Sequence, residues 1–245
     1  MTPDQPLPKR VSDRVAENAH EAADHVIDRA RELREEVKPK LRGWLHAATT
    51  PLALAAGIVL IVLSPTLTTR VGSAIFAASA LALFAISAVY NVGRWSPRAH
   101  AILRRLDHSN IFLLIAGSYT PFTLILLEGT ERVVLLAIVW AGAAAGVMFR
   151  IFWSDAPRWV YTPIYVALGW VAIFYAEDFS AGGTAVITLI AVGGGLYTLG
   201  GVVYGFKWPD PFPTWFGFHE VFHTLTIAAF VCHYVAASIA TYQLR

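Results

Sequence analysis

The residues best equipped for chemistry are His219 and His223, four apart in the stretch FGFHEVFHTLTIAAFVCHY at 216–234. On a helix, positions i and i+4 lie one above the other on a single face, so both imidazoles can reach one ion. The letters HEVFH also satisfy the HExxH pattern, in which two histidines hold zinc and the glutamate serves as general base. Glu220 lies about 100° from His219 around a helix, so its role depends on a rotation that the sequence does not fix. Residues 224–240 contain no Asp, Glu, Lys or Arg. The pair therefore sits at one end of a helix long enough to cross a bilayer, where ionisable groups are costly and tend to mark a site. His233, about 21 Å further along such a helix, reads as a structural or separate polar contact.

The elements that position this pair follow from composition. Of the 245 residues 56% are hydrophobic and 15% charged, with a mean hydropathy of +0.53. That balance excludes an ordinary soluble domain and a nucleic-acid binder and predicts a polytopic membrane protein. The net charge of +2 carries little information by itself. Cys232 is the single cysteine, so no intramolecular disulfide or CxxC zinc site exists, and a metal here needs nitrogen and oxygen ligands. The first forty residues are densely charged and lack an apolar core, so no secretory signal is expected and the first crossing helix acts as the membrane address.

Residues 1–44 read as a charged, amphipathic cytosolic arm. Val11, Val15, Ala19, Ala22, Val26, Ala30, Leu33 and Val37 recur at helical spacing. The shallow stripe fits a helix on the membrane surface, on the bundle, or against a second copy of the chain. Residues 45–245 form the membrane domain, with apolar segments near 47–67, 71–92, 109–127, 132–152, 159–176, 184–206 and 217–242. Hydrocarbon offers no water to satisfy backbone groups, so the expected fold is an all-α bundle of seven transmembrane helices. The glycines at 193–195 and 200–201 read as sites of close helix approach. Lys38, Lys40, Arg42, Arg94, Arg98, Arg104, Arg105, Arg150, Arg158 and Lys207 fall on one side of this scheme, and Arg70, Arg132 and Arg245 on the other. The bias places the N-terminus in the cytoplasm and the C-terminus outside.

In that topology three polar sets share one depth: Ser87, Tyr90 and Asn91 at the end of the second helix, Asp107, His108 and Ser109 in the third, and His219, Glu220 and His223 in the seventh. Together they offer an N/O metal site with an open position for water. His219 and His223 are the candidate ligands, and Asp107 is a third ligand or a hydrogen-bond partner of the activated water.

These same residues carry a resemblance. SAVYN at 87–91, RRLDHSNIFLLIAGSYTPF at 104–122 and the C-terminal stretch resemble the haemolysin III branch of the progestin and adiponectin receptor family, over roughly residues 45–242. The resemblance implies a seven-helix bundle, a zinc ion in the inner leaflet, and kinship to alkaline ceramidases, which hydrolyse amide-linked lipids. By position it implies His219 and His223 as zinc ligands and Asp107 and Ser87 as the accompanying catalytic residues. Where the family has its remaining zinc histidine this chain has Asn91. An amide oxygen is a poor zinc ligand beside imidazole, so zinc affinity should fall.

Two functions follow as expectations. One is a zinc-dependent hydrolase of amide- or ester-linked lipids; the other is a non-enzymatic lipid sensor or membrane-homeostasis protein with a weakened or empty metal site. An intramembrane metalloprotease using Glu220 as base is a further rival, and a wide pore is disfavoured because no helix carries a sustained polar face. The expected partners are membrane lipids and a lipid substrate or ligand, with self-association through the N-terminal helix. The alanine- and arginine-rich composition points to a bacterial cytoplasmic membrane.

Overall fold

The computed structural model describes residues 39–244. The amphipathic stripe at 11–37 and Arg245 lie outside the described residues. Lys40 onward forms one compact unit. Its helices are α1 (Trp44–Leu63), α2 (Leu67–Val92), α3 (Pro97–Leu126), α4 (Gly129–Phe152), α5 (Arg158–Gly169), α6 (Ala176–Ser180), α7 (Thr184–Phe206) and α8 (Phe218–Tyr242), with a 3₁₀ turn at Trp170–Tyr175 joining α5 to α6. No strand occurs among the described residues. Counting Arg158–Ser180 as one span, seven helical segments are long and apolar enough to cross a membrane. Short connections make consecutive spans neighbours: α1 packs on α2, α2 on α3, α3 on α4 and α7 on α8, and α8 also contacts α1. The spans alternate in direction, so the starts of α1, α3, α5 and α8 and the ends of α2, α4 and α7 meet at one end of the bundle.

Two spans differ from the hydropathy pattern. The third helix starts at Pro97, twelve residues before the apolar segment at 109. Ser96 caps it by accepting from the Ala99 N–H, and Pro97 has no N–H to lose in the first turn. The added turns carry Arg98, Arg104, Arg105 and Asp107, whose charges lower the hydropathy without breaking the helix. The fifth span is interrupted at Gly169. The Tyr119 hydroxyl from α3 donates to the Gly169 carbonyl (2.6 Å) and accepts from the Ala172 N–H (2.7 Å), satisfying the backbone groups the break exposes.

α3 is the most buried span and the axis of the bundle. Phe76, Phe84, Phe112, Phe122 and Phe230 fill the centre around it. Gly146 lets α4 close on Phe112, where an added Cβ would fall 2.3 Å from the ring.

Candidate functional site

α8 starts at a rigid corner. The Glu220 carboxylate accepts from the Gly217 N–H (2.8 Å), reaching back from the third helical position to the N-cap amide, and Asp210 accepts from the Phe218 N–H (3.0 Å). The other Glu220 oxygen accepts from Arg42 Nε at 3.3 Å, and Glu220 is fully buried. Just before α1, the Lys40 and Leu41 amides donate to the carbonyls of Thr214 and Trp215, and the Lys40 ammonium sits over the Trp215 ring. The start of α1 is thereby strapped to the start of α8.

This strap brings a third imidazole into the site. Gly43 adopts φ 83°, and a Cβ there would lie 2.7 Å from the Asn91 Cβ, so only glycine lets the chain turn this closely against the end of α2. One turn later His46 enters the core and stacks on His223, with centroids 3.7 Å apart and planes 13° from parallel. The His219 and His223 ring centroids are 4.4 Å apart, with the planes 64° from parallel. Both nitrogens of His46, Nε2 of His219 and Nδ1 of His223 are buried without a hydrogen-bond partner. An unsatisfied buried polar atom costs about 1–3 kcal/mol, and a ligand that takes one lone pair from each of the three neutral rings would relieve three of these four.

Asn91 faces elsewhere. Its Nδ2 donates to the Ser87 carbonyl (2.9 Å) and to Ser87 Oγ (3.3 Å) on its own helix. Ser87 is in turn a side-chain hydrogen-bond partner of Asp107. The second and third helices therefore meet through the chain Asn91, Ser87, Asp107. His108 is committed as well: Nδ1 contacts the Arg104 carbonyl (2.6 Å) and Nε2 the Tyr204 hydroxyl (3.2 Å).

Asp107, Ser87, His219 and His223 do line one cavity, together with His46 and His108. The cavity has a volume of about 290 Å³ and runs from this polar end between α3, α5 and α7 past Leu114, Phe122 and Ile187 to Phe179 and His233. Its wall reaches the outer surface where exposed Trp170 and Ile173 face Ala191 and Gly195. Trp170 Nε1 donates across that mouth to Thr198 Oγ1 at 3.0 Å. Gly194 and Gly195 are not packing glycines, because a Cβ at either would meet nothing within 4 Å. Gly193 is one, with the His233 ring 2.4 Å from its would-be Cβ. His233 makes a separate polar contact, its Nε2 lying 3.3 Å from the Ile190 carbonyl, while its Nδ1 is buried without a partner. Glu220 is not on the cavity wall.

The donor chemistry of this cluster suits zinc, which binds neutral imidazole nitrogen, and the unpartnered nitrogens are the ones a metal would use. The side chains are not yet arranged as a coordination sphere. Among the described residues no three His, Cys, Asp or Glu groups converge to hold an ion. The parallel stacking of His46 on His223 sets their in-plane lone pairs side by side, so one ring must turn about its soft χ2 torsion before both address one point. His46 was invisible to the spacing argument, having no histidine partner within a turn of its own helix.

A sequence model of the family described as "Haemolysin-III related" matches residues 35–234. The chain is 37% identical over 136 residues to the "Hemolysin-3 homolog" of Bacillus subtilis (strain 168), covering 54% of this chain and 61% of that protein. It is 38% identical over 112 residues to "Hemolysin-3" of Bacillus cereus, covering 44% of this chain and 50% of that protein. The matched part thus spans less than two thirds of either relative.

Proposed function

This multi-pass membrane protein belongs to the haemolysin-III-related family, and on that footing we propose that it hydrolyses an amide or ester bond of a membrane lipid with the help of zinc. The observation that carries the reading is the cavity: a largely apolar space whose wall includes the exposed Trp170 and Ile173 and whose polar end holds Asp107, Ser87, His219 and His223. Such a shape takes an acyl chain along the wall and presents the first polar group of the lipid to the histidines and the carboxylate.

The residues divide the work. Leu114, Ile115, Phe122 and Ile187 hold the chain and exclude water, which strengthens every polar interaction at the closed end. His219 and His223 are the zinc ligands, and zinc when bound supplies Lewis acidity toward a carbonyl oxygen. Asp107 stands at the polar end with Ser87 hydrogen-bonded to it, so that its carboxylate is oriented to take a proton from attacking water and return it to the departing amine or alcohol. Glu220 has no part in the chemistry; it holds the start of α8. The membrane is proposed to be the bacterial cytoplasmic membrane, with the polar end of the bundle facing the cytoplasm, as the distribution of Lys and Arg suggests.

A lipid sensor without catalysis is the second reading, favoured by the engagement of the Asn91 amide within its own helix. One experiment separates the two. Zinc-loaded protein in detergent is incubated with N-acyl and O-acyl lipids, and released fatty acid is measured alongside lipid binding. Release that disappears in His219→Ala supports hydrolysis. Tight binding with no release, at full zinc occupancy, refutes it and leaves the sensor.

A further inference from the structure

We propose that His46, at the start of the first transmembrane helix, is the third metal ligand of this chain, completing with His219 and His223 a three-histidine site that Asn91 cannot complete. The proposal rests on the zinc reading of the site and adds to it the residue that makes up the ligand set.

Three observations converge on His46. It is 2% exposed, and neither of its ring nitrogens has a partner, an uncommon state for a buried imidazole. It lies in direct ring contact with His223, which in turn contacts His219, so the three rings form one continuous cluster at the end of the cavity. Lastly, the position that would otherwise supply the third nitrogen is closed off. Asn91 directs its amide hydrogens into its own helix, and the Gly43 turn lies directly against its Cβ. The turn that covers Asn91 is also the one that feeds His46 into the cluster.

A structural explanation, in which His46 only fills space against Phe84 and His223, accounts for the ring stacking but not for the two unpartnered nitrogens. The ligand role gives one of those nitrogens a partner once the ring has turned out of the stack. It also joins the first and last spans of the membrane unit through one ion, so metal binding should tighten the contact between α1 and α8 as well as fill the site.

The test is metal binding by the full chain in detergent, read by elemental analysis of zinc and by the visible absorption of cobalt used in its place. The variants are His46→Ala, His46→Phe, His219→Ala and Asn91→Ala. His46→Phe keeps a ring stacked on His223 while removing both nitrogens, so it remains informative if the alanine variant fails to fold. Zinc affinity should fall by more than about 100-fold in His46→Phe, beyond the range an outer-shell partner contributes. The cobalt spectrum should change with it, and Asn91→Ala should leave both unchanged. Unchanged zinc affinity and cobalt spectrum in His46→Phe, with both lost in His219→Ala, would overturn the assignment, as would a wild-type chain that binds no zinc. Zinc bound through His46 with no lipid cleaved would leave the assignment standing and remove the hydrolase.

Discussion

The local pattern HEVFH invites a glutamate base, whereas the fold makes Glu220 a structural acceptor, and a substitution there separates the two roles. Glu220 is fully buried and takes two hydrogen bonds, from the Gly217 N–H at 2.8 Å and from Arg42 Nε at 3.3 Å. Glu220→Ala leaves a buried backbone donor unsatisfied at about 1.5–3 kcal/mol for a bond to a charged acceptor. The Arg42 side chain is 21% exposed and can recover water, so the lost ion pair adds only about 0–1 kcal/mol. Together these come to about 1.5–4 kcal/mol. Glu220→Gln keeps an acceptor for Gly217 and should cost about half as much. Because the bonds anchor the first turn of α8, zinc occupancy at His219 and His223 should fall together with thermal stability in detergent, and Arg42→Ala should reproduce both effects in kind. Arg42→Ala combined with Glu220→Ala should cost less than the two single losses added, since both remove the same contact. A Glu220→Gln protein with wild-type thermal stability and zinc content but no lipid hydrolysis would refute this reasoning and restore the glutamate as base.

Three further outcomes follow from the same geometry. Asp107→Asn should lower hydrolysis about 10²- to 10⁴-fold, the range typical of a general acid–base group, while zinc content stays at the wild-type level; an Asn variant with normal turnover would remove Asp107 from proton transfer. Gly194→Leu should fold normally and lose lipid binding, because Gly194 lines the cavity and an added Cβ there meets nothing within 4 Å, whereas Gly193→Leu should fail to pack against His233. Wild-type lipid affinity in Gly194→Leu would mean that ligands do not pass that wall. Tyr119→Phe should destabilise the break between α5 and α6 by about 1–3 kcal/mol through the orphaned Gly169 carbonyl and Ala172 N–H, seen as faster amide exchange at 170–176; exchange at the wild-type rate would show that the break is held by other contacts.

The seven spans were legible because their signal is local: uninterrupted apolar runs, each long enough for a bilayer. Where local signals mislead, the cause lies in tertiary partners. The early start of α3 was written in Ser96 and Pro97, a cap followed by a first-turn proline, but the charges at 98–107 masked it. The interruption after Gly169 depends on Tyr119, fifty residues away, to satisfy the exposed backbone, and nothing between 158 and 180 announces that donor. The glycines of α7 show the same dependence, since adjacent positions 193 and 194 serve packing and an open wall respectively, according to what stands opposite each.

The candidate site divides along the same line. His219 and His223 declare themselves by spacing, and Asp107 and Ser87 by sharing their depth under an alternating topology. That depth argument also reaches His46, which is the third residue of the first span and therefore level with the start of α8. Level is not the same as adjacent. Adjacency requires the Gly43 turn, the pairing of Lys40 and Leu41 with Thr214 and Trp215, and the Arg42 to Glu220 contact, which together draw the two helix starts into register. The glutamate inside the HEVFH pattern is thus what brings the third histidine to the other two, through an arginine four residues before it. A carboxylate directed at Arg42 and the Gly217 amide cannot also face the cavity, so the reading of Glu220 as a base and the convergence of His46 with His219 and His223 are alternatives of one packing arrangement.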